Sequence, residues 1–184
     1  MRKSFWILFA SIIAVFIAVN IFAKKQENVN APIEQYIESA KITVTAPPLE
    51  RQEALEQKTK DILKDRLKTA YYFSSSYKKA DYMVHYCEYK NEVKLQAGID
   101  SIVLRLKDNN LVYEVKENAA GSLEGLLLEG VFEKDGKKFG IKSLLIKDKT
   151  AFWQIMSIYP YSDKNNKTAE SFIKSVEVTS NTQK

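Results

Sequence analysis

The hydrophobic and polar positions divide this chain into an uncharged start and a longer part of mixed periodicity. Residues 4–23 form an uncharged run of 20 residues, rich in Phe, Ile, Ala and Val, between Arg2-Lys3 and Lys24-Lys25. A bilayer core about 30 Å thick needs roughly 20 apolar residues in a helix. The run therefore predicts a membrane-spanning helix within residues 1–25. Its membrane segment starts at Ser4, Phe5 and Trp6 and ends at Ala23.

A cleavable secretory signal is the alternative for this N-terminus. Such a signal has a basic start, an apolar stretch of only about 7–15 residues and a small-x-small cleavage site. Arg2 and Lys3 supply the basic start, but Ile21-Phe22-Ala23 places a bulky residue where a small one is needed. An uncleaved anchor is therefore favoured, and secretion after signal cleavage stays open.

The orientation of the anchor depends on the charges at its two ends. Lys and Arg near the ends of the run count two against two, so the positive-inside rule does not decide the orientation. The short basic N-terminal tail is easily retained in the cytoplasm, and Glu27 and neutral residues follow Lys25. We therefore expect the C-terminal domain outside the cytoplasm, in the periplasm or at the cell surface.

Helical and strand spacings alternate in the next part of the chain. Apolar residues at i, i+3, i+4 and i+7 after Pro32 predict a short helix, because that spacing places them on one helix face. Alternating residues stopped by Pro47-Pro48 predict a strand. A charged stretch without Gly or Pro predicts an amphipathic helix of about 15–20 residues that ends before Tyr71. These segments are a spacer with the short helix at 26–41, the strand at 41–45 and the long helix within 49–70.

The aromatic segment that follows predicts two strands, 71–75 and 82–89, with a short connection at Lys78-Lys79. Both faces of the second strand are apolar or aromatic, which is typical of a central strand covered on both sides. Residues 92–108 return to helical spacing, and Asn109-Asn110 ends that pattern.

The last third of the chain predicts a strand, a meander and a final helix. Asp135-Gly136 indicates a tight hairpin turn within the meander, and Asp148-Lys149 indicates a second one. Asn166 or Thr168 is suited to cap the final helix. The fold class is therefore α+β, a mainly antiparallel sheet flanked by helices. The predicted strands are 111–115, 123–133, 139–146 and 151–159, and residues 179–184 form a disordered tail.

Residues 42–178 resemble the PsbP-like superfamily, which includes the extrinsic photosystem II subunit and many small exported bacterial proteins. The resemblance is carried by an opening strand that runs into Ala46-Pro47-Pro48-Leu49, by a helix at 98–106, by the meander from Glu129 and by the closing segment 169–176. It implies an exported or membrane-associated domain that acts by contact with other proteins rather than by catalysis. The long charged helix at 50–68 departs from the pattern of the family.

Composition and charge exclude several classes of function. Charged residues make up 28% of the chain and hydrophobic ones 45%, as in ordinary globular proteins. The formal charge is +5, and leaving out Arg2 and Lys3 gives 26 basic against 23 acidic residues, or +3. Basic and acidic residues are interleaved and no Arg-rich stripe exists, so we expect no nucleic acid as a partner. Cys87 is the only cysteine, so a disulfide within the chain is excluded.

His85 and Cys87 are the only pair that suggests nucleophilic catalysis. Two residues apart on one strand face, their Cβ atoms are expected about 6.5–7 Å apart, too far for a direct hydrogen bond. A core position explains both residues, since free Cys is usually buried. With one His and one Cys, the sequence predicts no catalytic site, no metal site of ordinary type and no cofactor.

Aromatic residues are the most distinctive candidates for binding. Partly exposed Tyr and Trp are favoured at protein interfaces, but the same residues also fill sheet–helix cores. The sequence therefore predicts a non-enzymatic, membrane-tethered interaction or assembly module whose partner is another envelope or membrane protein. An exported carrier of a small ligand or lipid is the alternative, with an apolar cleft that the aromatic residues line. The candidate binding surface consists of Tyr72, Tyr77, Tyr82, Trp153 and Tyr161.

Overall fold

The computed structural model of the chain describes residues 31–179, apart from 64, 93–95, 98, 101–102, 105–111 and 121–122. The predicted anchor, with Ser4, Phe5, Trp6 and Ala23, therefore lies outside the described residues, as does the tail from residue 180 onward. None of the helices in the described part is both long enough and apolar enough to cross a bilayer.

Two antiparallel sheets form the framework of the described chain. One has seven strands in the order β3-β4-β5-β9-β8-β7-β6, and the other has three in the order β1-β2-β10. Helices pack against them, which confirms the α+β class with a mainly antiparallel sheet. The elements are β1 (Ile33–Ile37), β2 (Ile42–Ala46), β3 (Glu50–Arg51), α1 (Glu53–Leu63), β4 (Leu67–Tyr77), β5 (Ala80–Tyr89), β6 (Val112–Ala120), β7 (Leu123–Lys134), β8 (Lys137–Asp148), β9 (Ala151–Pro160), α2 (Asp163–Lys174) and β10 (Glu177–Val178).

Tight turns connect the long hairpins of the large sheet. Lys78 and Lys79 join β4 to β5 with φ angles of 48° and 65°, and Asp135 and Gly136 join β7 to β8 with 51° and 69°. Positive φ at both central residues gives a turn whose twist matches the strands. The predicted turn at Asp135-Gly136 is confirmed. The next turn lies at residues 149–150 rather than at 148–149, because β8 extends to Asp148.

Both faces of the large sheet are covered, as the pattern of β5 predicts. On one face, Tyr82, Val84 and Tyr86 belong to the core formed with α2 and with the small sheet. On the opposite face, Met83 and Cys87 pack in clusters that include residues of α1 and of the segment after β5. The described residues 92, 96–97, 99–100 and 103–104 of that segment are helical, in agreement with the helix predicted there.

The short helix predicted over residues 32–40 is wrong, because most of that segment is strand β1. β1 pairs antiparallel with β2, from Ile33 opposite Ala46 to Ile37 opposite Ile42. The side chain of Gln35 fixes this hairpin by donating to the Ala46 carbonyl at 3.1 Å. The helical spacing of the apolar residues is coincidental, and only residues 38–40 form one turn of 3₁₀ helix.

Two further helix predictions need correction. α1 ends at Leu63, and Leu67 already belongs to β4, so the predicted long helix combined a helix with the start of a strand. The cap of α2 is Ser162, whose hydroxyl oxygen accepts a hydrogen bond from the Asn165 amide at 3.3 Å.

Thr179, which the sequence predicts to be part of the disordered tail, is held by the fold, because its amide donates to the Lys41 carbonyl at 2.9 Å.

Candidate functional site

The pair that suggested chemistry, His85 and Cys87, lies inside the protein on β5. The two side chains are only 4% and 1% exposed. The Cys87 Sγ and His85 Nε2 atoms lie 2.8 Å apart and share a hydrogen bond, so the prediction that they are too distant is wrong. The Cβ–Cβ distance does not decide whether the two side chains meet, because the imidazole ring extends far enough to bring its Nε2 atom to the Cys87 thiol.

Burial determines the protonation of this pair. It lowers the pKa of His85 to about 3, and it raises the pKa of the Cys87 thiol far above its ordinary value. Near neutral pH the imidazole is therefore uncharged and the thiol remains protonated. Nucleophilic attack by cysteine needs the thiolate. The pair thus has neither the ionisation nor the solvent access that covalent chemistry requires.

A polar network continues from this pair towards α1. The ring of Tyr72 stacks on the His85 imidazole with ring centres 3.9 Å apart. The Thr59 hydroxyl on α1 donates to the Tyr72 hydroxyl oxygen at 3.2 Å. Desolvation raises the pKa of the Tyr72 phenol well above its usual range, so this group also stays neutral. This part of the network joins the sheet to α1 through the uncharged side chains of Tyr72 and Thr59.

Glu56 is the charged member of the network, and it is only 2% exposed. The Arg51 guanidinium donates to both of its carboxylate oxygens, at 2.9 and 2.8 Å. The backbone amide of Tyr72 donates to the same carboxylate at 3.2 Å. Such a bidentate pair satisfies a carboxylate that burial otherwise disfavours. It pins α1 to β3 and β4.

A second ionic cluster lies on the α2 face of the large sheet. Glu129 on β7 accepts hydrogen bonds from Lys142 and from Lys116, and the Lys116 contact measures 3.0 Å. Desolvation raises the pKa of Glu129, but the bonds from the two lysines outweigh it and hold the pKa below its ordinary value. Burial, with a smaller contribution from the Glu129 charge, raises the pKa of nearby Tyr159 to about 12. The cluster is a ladder of ion pairs across three strands.

Groups of three or more metal-ligating side chains do not occur within the described ranges. The side chains of His85, Cys87, Glu56 and Glu129 make the hydrogen bonds and ion pairs described above. Sequence reasoning missed Glu56 and Lys142 as buried charges, since nothing in their spacing distinguishes them from solvated residues.

The five aromatic residues of the predicted binding surface do not lie on one surface. Tyr72, Tyr82 and Trp153 are between 1% and 3% exposed and belong to the core. Tyr72 lies on the α1 face of the sheet, and the other two lie on the α2 face. Tyr77 is half-buried, and Tyr161 alone of the five is widely exposed, at 52%. For the three core residues, the prediction of a binding surface is corrected.

The buried aromatic rings on the α2 face pack closely against each other. Tyr82 meets Phe172 of α2 edge-on with ring centres 5.2 Å apart, and Tyr86 lies 5.3 Å from Trp153. The Trp153 indole donates to the Ala40 carbonyl at 2.6 Å, which joins the large sheet to the 3₁₀ turn between β1 and β2. These residues belong to the core of the protein.

Two exposed side chains on β1 were not singled out as binding residues. Ile33 is 52% exposed and Tyr36 is 57% exposed. β1 stands at the end of the three-stranded order, and its one pairing among the described strands is with β2. Because the apolar spacing of this segment is that of a helix, no local signal in the sequence marks it as a sheet edge.

No protein-family model and no curated protein matches the chain. Three solved structures are similar in fold at low sequence identity. A protein from Bacteroides thetaiotaomicron has 13% identity and a TM-score of 0.47 over 84% of this chain, which spans only 50% of that protein. LpqN of Mycobacterium tuberculosis, which is involved in cell envelope biogenesis, has 12% identity and a TM-score of 0.46, with 82% of this chain and 93% of LpqN covered. A protein of unknown function from Pseudomonas aeruginosa has 9% identity and a TM-score of 0.39, with 79% and 95% covered.

Proposed function

We propose that this protein is a membrane-tethered, non-catalytic module that binds another envelope or membrane protein outside the cytoplasm. The tether is the apolar run of residues 4–23, whose length suits a bilayer-spanning helix. The described α+β domain presents the binding surface. Its antiparallel sheet with flanking helices also supports assignment to the PsbP-like superfamily, which forms part of this proposal.

The observation that carries the proposal is the exposed edge of β1. An edge strand offers a row of backbone N–H and C=O groups to a strand of another chain. Tyr36 and Ile33 add exposed aromatic and apolar area beside that edge. Tyrosine at such positions is favoured at protein interfaces, because it combines a large apolar surface with a hydroxyl. We infer that the partner contacts β1.

Two properties of the interior support this function over the alternatives. The neutral, buried pair of His85 and Cys87 supports a role without covalent catalysis. The close packing of Tyr82 on Phe172 and of Tyr86 on Trp153 disfavours a carrier with an apolar cleft. We therefore assign partner binding to exposed residues of the domain.

The test is affinity purification of the full-length protein from mild-detergent membranes after crosslinking in cells. We expect one envelope or membrane protein to be recovered in stoichiometric amount with the wild type. In the double variant Ile33→Ser, Tyr36→Ser, we expect recovery of this partner to fall at least tenfold, because loss of a central interface anchor costs about 2 kcal/mol and a tenfold change corresponds to about 1.4 kcal/mol.

Leu104→Ser is the matched control, since Leu104 is 51% exposed and lies outside β1. Its recovery of the partner should equal that of the wild type. If the β1 variant recovered as much of the partner as the wild type does, β1 would not be the contact. If the wild type itself recovered no partner, the proposed function would be wrong.

A further inference from the structure

Three connections of the large sheet lie together at one end, here called the hairpin end. They are the β4–β5 turn at 78–79, the β7–β8 turn with its flanks at 133–138, and the β9–α2 link with the first two residues of α2 at 161–164. The register places them there: Asp81 on β5 is opposite Ile158 on β9, and Phe139 on β8 is opposite Pro160. Three strand spacings separate the two turns, or about 14 Å.

The hairpin end is basic. Its three connections carry six exposed lysines against three exposed acidic residues, a difference of +3. The nearby carboxylate of Asp81 is partly buried and accepts a hydrogen bond from Ser76. At the opposite end, the described residues 65–66, 90–92, 123–124 and 147–150 carry four basic and four acidic residues. The lysines are Lys78, Lys79, Lys134, Lys137, Lys138 and Lys164, and the acidic residues are Glu133, Asp135 and Asp163.

Aromatic side chains stand among these lysines. Tyr161 is 52% exposed, and its amide donates to the Lys138 carbonyl at 3.0 Å, which fixes it beside the β7–β8 hairpin. The Lys78 ammonium lies 4.9 Å from the centre of the Tyr77 ring. Tyrosine and lysine together are characteristic of the membrane–water interface, where the ring enters the headgroup layer and the ammonium meets phosphate.

The chain that leads back to the apolar run enters the fold at the same end. Ile33, the first residue of β1, is opposite Ala46. The carbonyl of the next residue, Pro47, accepts a hydrogen bond from Ser75 at 3.2 Å, and Ser75 is two residues from the end of β4. Nine residues separate Ala23 from Ile33. Even fully extended, the ten Cα–Cα steps from Ala23 to Ile33 span no more than about 36 Å.

We propose that the hairpin end binds the anionic lipid surface of the bilayer in which residues 4–23 are anchored. This inference rests on the proposed tether. The charge difference supplies the attraction, Tyr161 supplies the interfacial contact, and the short linker keeps this end of the sheet close to the headgroups. β1 then extends from the membrane side of the domain, with Tyr36 accessible to a partner protein.

The test uses full-length protein reconstituted into vesicles of phosphatidylcholine alone or of phosphatidylcholine with phosphatidylglycerol. A membrane-impermeant acylating reagent modifies accessible lysines, and mass spectrometry gives the rate at each one. In anionic vesicles we expect Lys78 and Lys138 to react several-fold more slowly than in neutral ones. Lys147 and Lys149 at the opposite end should react equally in both.

The variant Lys137→Glu, Lys138→Glu should restore fast reaction at Lys78 in anionic vesicles, because each lysine near such a surface contributes about a fivefold factor in binding. Lys147→Glu, Lys149→Glu is the matched control and should leave the protection unchanged. The inference would be overturned if Lys78 and Lys138 were not protected in anionic vesicles, or if neutral vesicles protected them equally. It would also be overturned if both double variants lost this protection to the same extent. Failure of the tether is distinguishable, since the protein would then leave the vesicles in an alkaline carbonate wash.

Discussion

At the scale of single residues, burial gives the one histidine of this chain a strong preference for the neutral form. Its neighbours Cys87 and Tyr72 are neutral as well, so no opposite charge offsets the desolvation of an imidazolium. The pKa of His85 is lowered from 6.5 to about 3 in the folded state. Between these values the unfolded chain binds a proton that the folded chain does not.

We therefore predict that folding stability falls as the pH falls from about 6.5 towards 3, by up to about 1.4 kcal/mol per pH unit from His85 alone. The measurement is urea unfolding of the detergent-solubilised full chain at several pH values. His85→Gln removes the titrating group, so its stability should decline less steeply over this range. If the unfolding free energies of the wild type and of His85→Gln declined in parallel as the pH falls, His85 would not be the group responsible.

Gly140 illustrates a residue that close packing requires. A Cβ atom at this position would lie 2.8 Å from the Tyr159 hydroxyl oxygen and closer still to the ring, which covers the glycine from the neighbouring strand. Gly140→Ala should therefore destabilise the fold by about 1–3 kcal/mol. In a Tyr159→Leu background the same substitution should cost much less. Thermal or urea unfolding of the four proteins tests this, and an unchanged cost in that background would show that Tyr159 is not the obstacle.

At the scale of elements, the attachment of α1 depends on one buried carboxylate. Glu56→Ala removes the acceptor for Arg51 and for the Tyr72 amide, and we expect it to cost about 2–3 kcal/mol. Arg51→Ala should also destabilise the fold clearly, because it leaves the buried carboxylate of Glu56 without its bidentate partner. Gln57→Ala on the exposed face of α1 is the control and should stay within about 0.5 kcal/mol. Urea unfolding midpoints give the ranking, and a larger loss for Gln57 than for Glu56 would refute it.

The start of α2 provides a test of helix capping. Ser162→Ala deletes the acceptor for the Asn165 amide and should cost about 1 kcal/mol. Thr168→Ala, at a position that the sequence also suggested as a cap, should be nearly neutral, because Thr168 lies inside the helix and bonds only to the Lys164 carbonyl. The comparison of the two unfolding free energies decides between the two capping sites.

The elements that local chemistry determines could be predicted from the sequence. The turn at Asp135-Gly136 has positive φ at both residues, which Asp-Gly favours, and runs rich in apolar and aromatic residues on either side of it indicate the strands. β1 could not be predicted, because Ile33, Tyr36, Ile37 and Ala40 have helical spacing while pairing with β2 decides the structure. The strand position of Leu67 could not be predicted either, because Leu67 continues the helical spacing of α1 although it belongs to β4.

The candidate site was less predictable than the fold. The contact between His85 and Cys87 depends on how the imidazole leans, and the burial of Glu56 depends on the packing of α1 on β4. Neither feature has a local sequence signal. Exposure of an aromatic residue is likewise a property of the assembled molecule: Trp153 is buried, whereas Tyr161 is 52% exposed.

At the scale of the whole molecule, covered sheet faces leave the edges and the ends for interaction. The α2 face is closed by α2 and the small sheet, and the other face is packed against α1. In our two proposals, the exposed strand β1 binds the protein partner and the basic hairpin end binds the lipid surface. Both lie near the point where the chain leaves towards residues 4–23.

In our proposal, a tethered, non-catalytic domain binds a protein partner through β1. A direct test places a photo-crosslinking amino acid at position 36 or at position 104 of the full-length protein in living cells. We expect one dominant membrane-associated adduct from position 36 and none from position 104. Equal labelling from both positions, or protein recovered in the soluble fraction without residues 1–23, would contradict it.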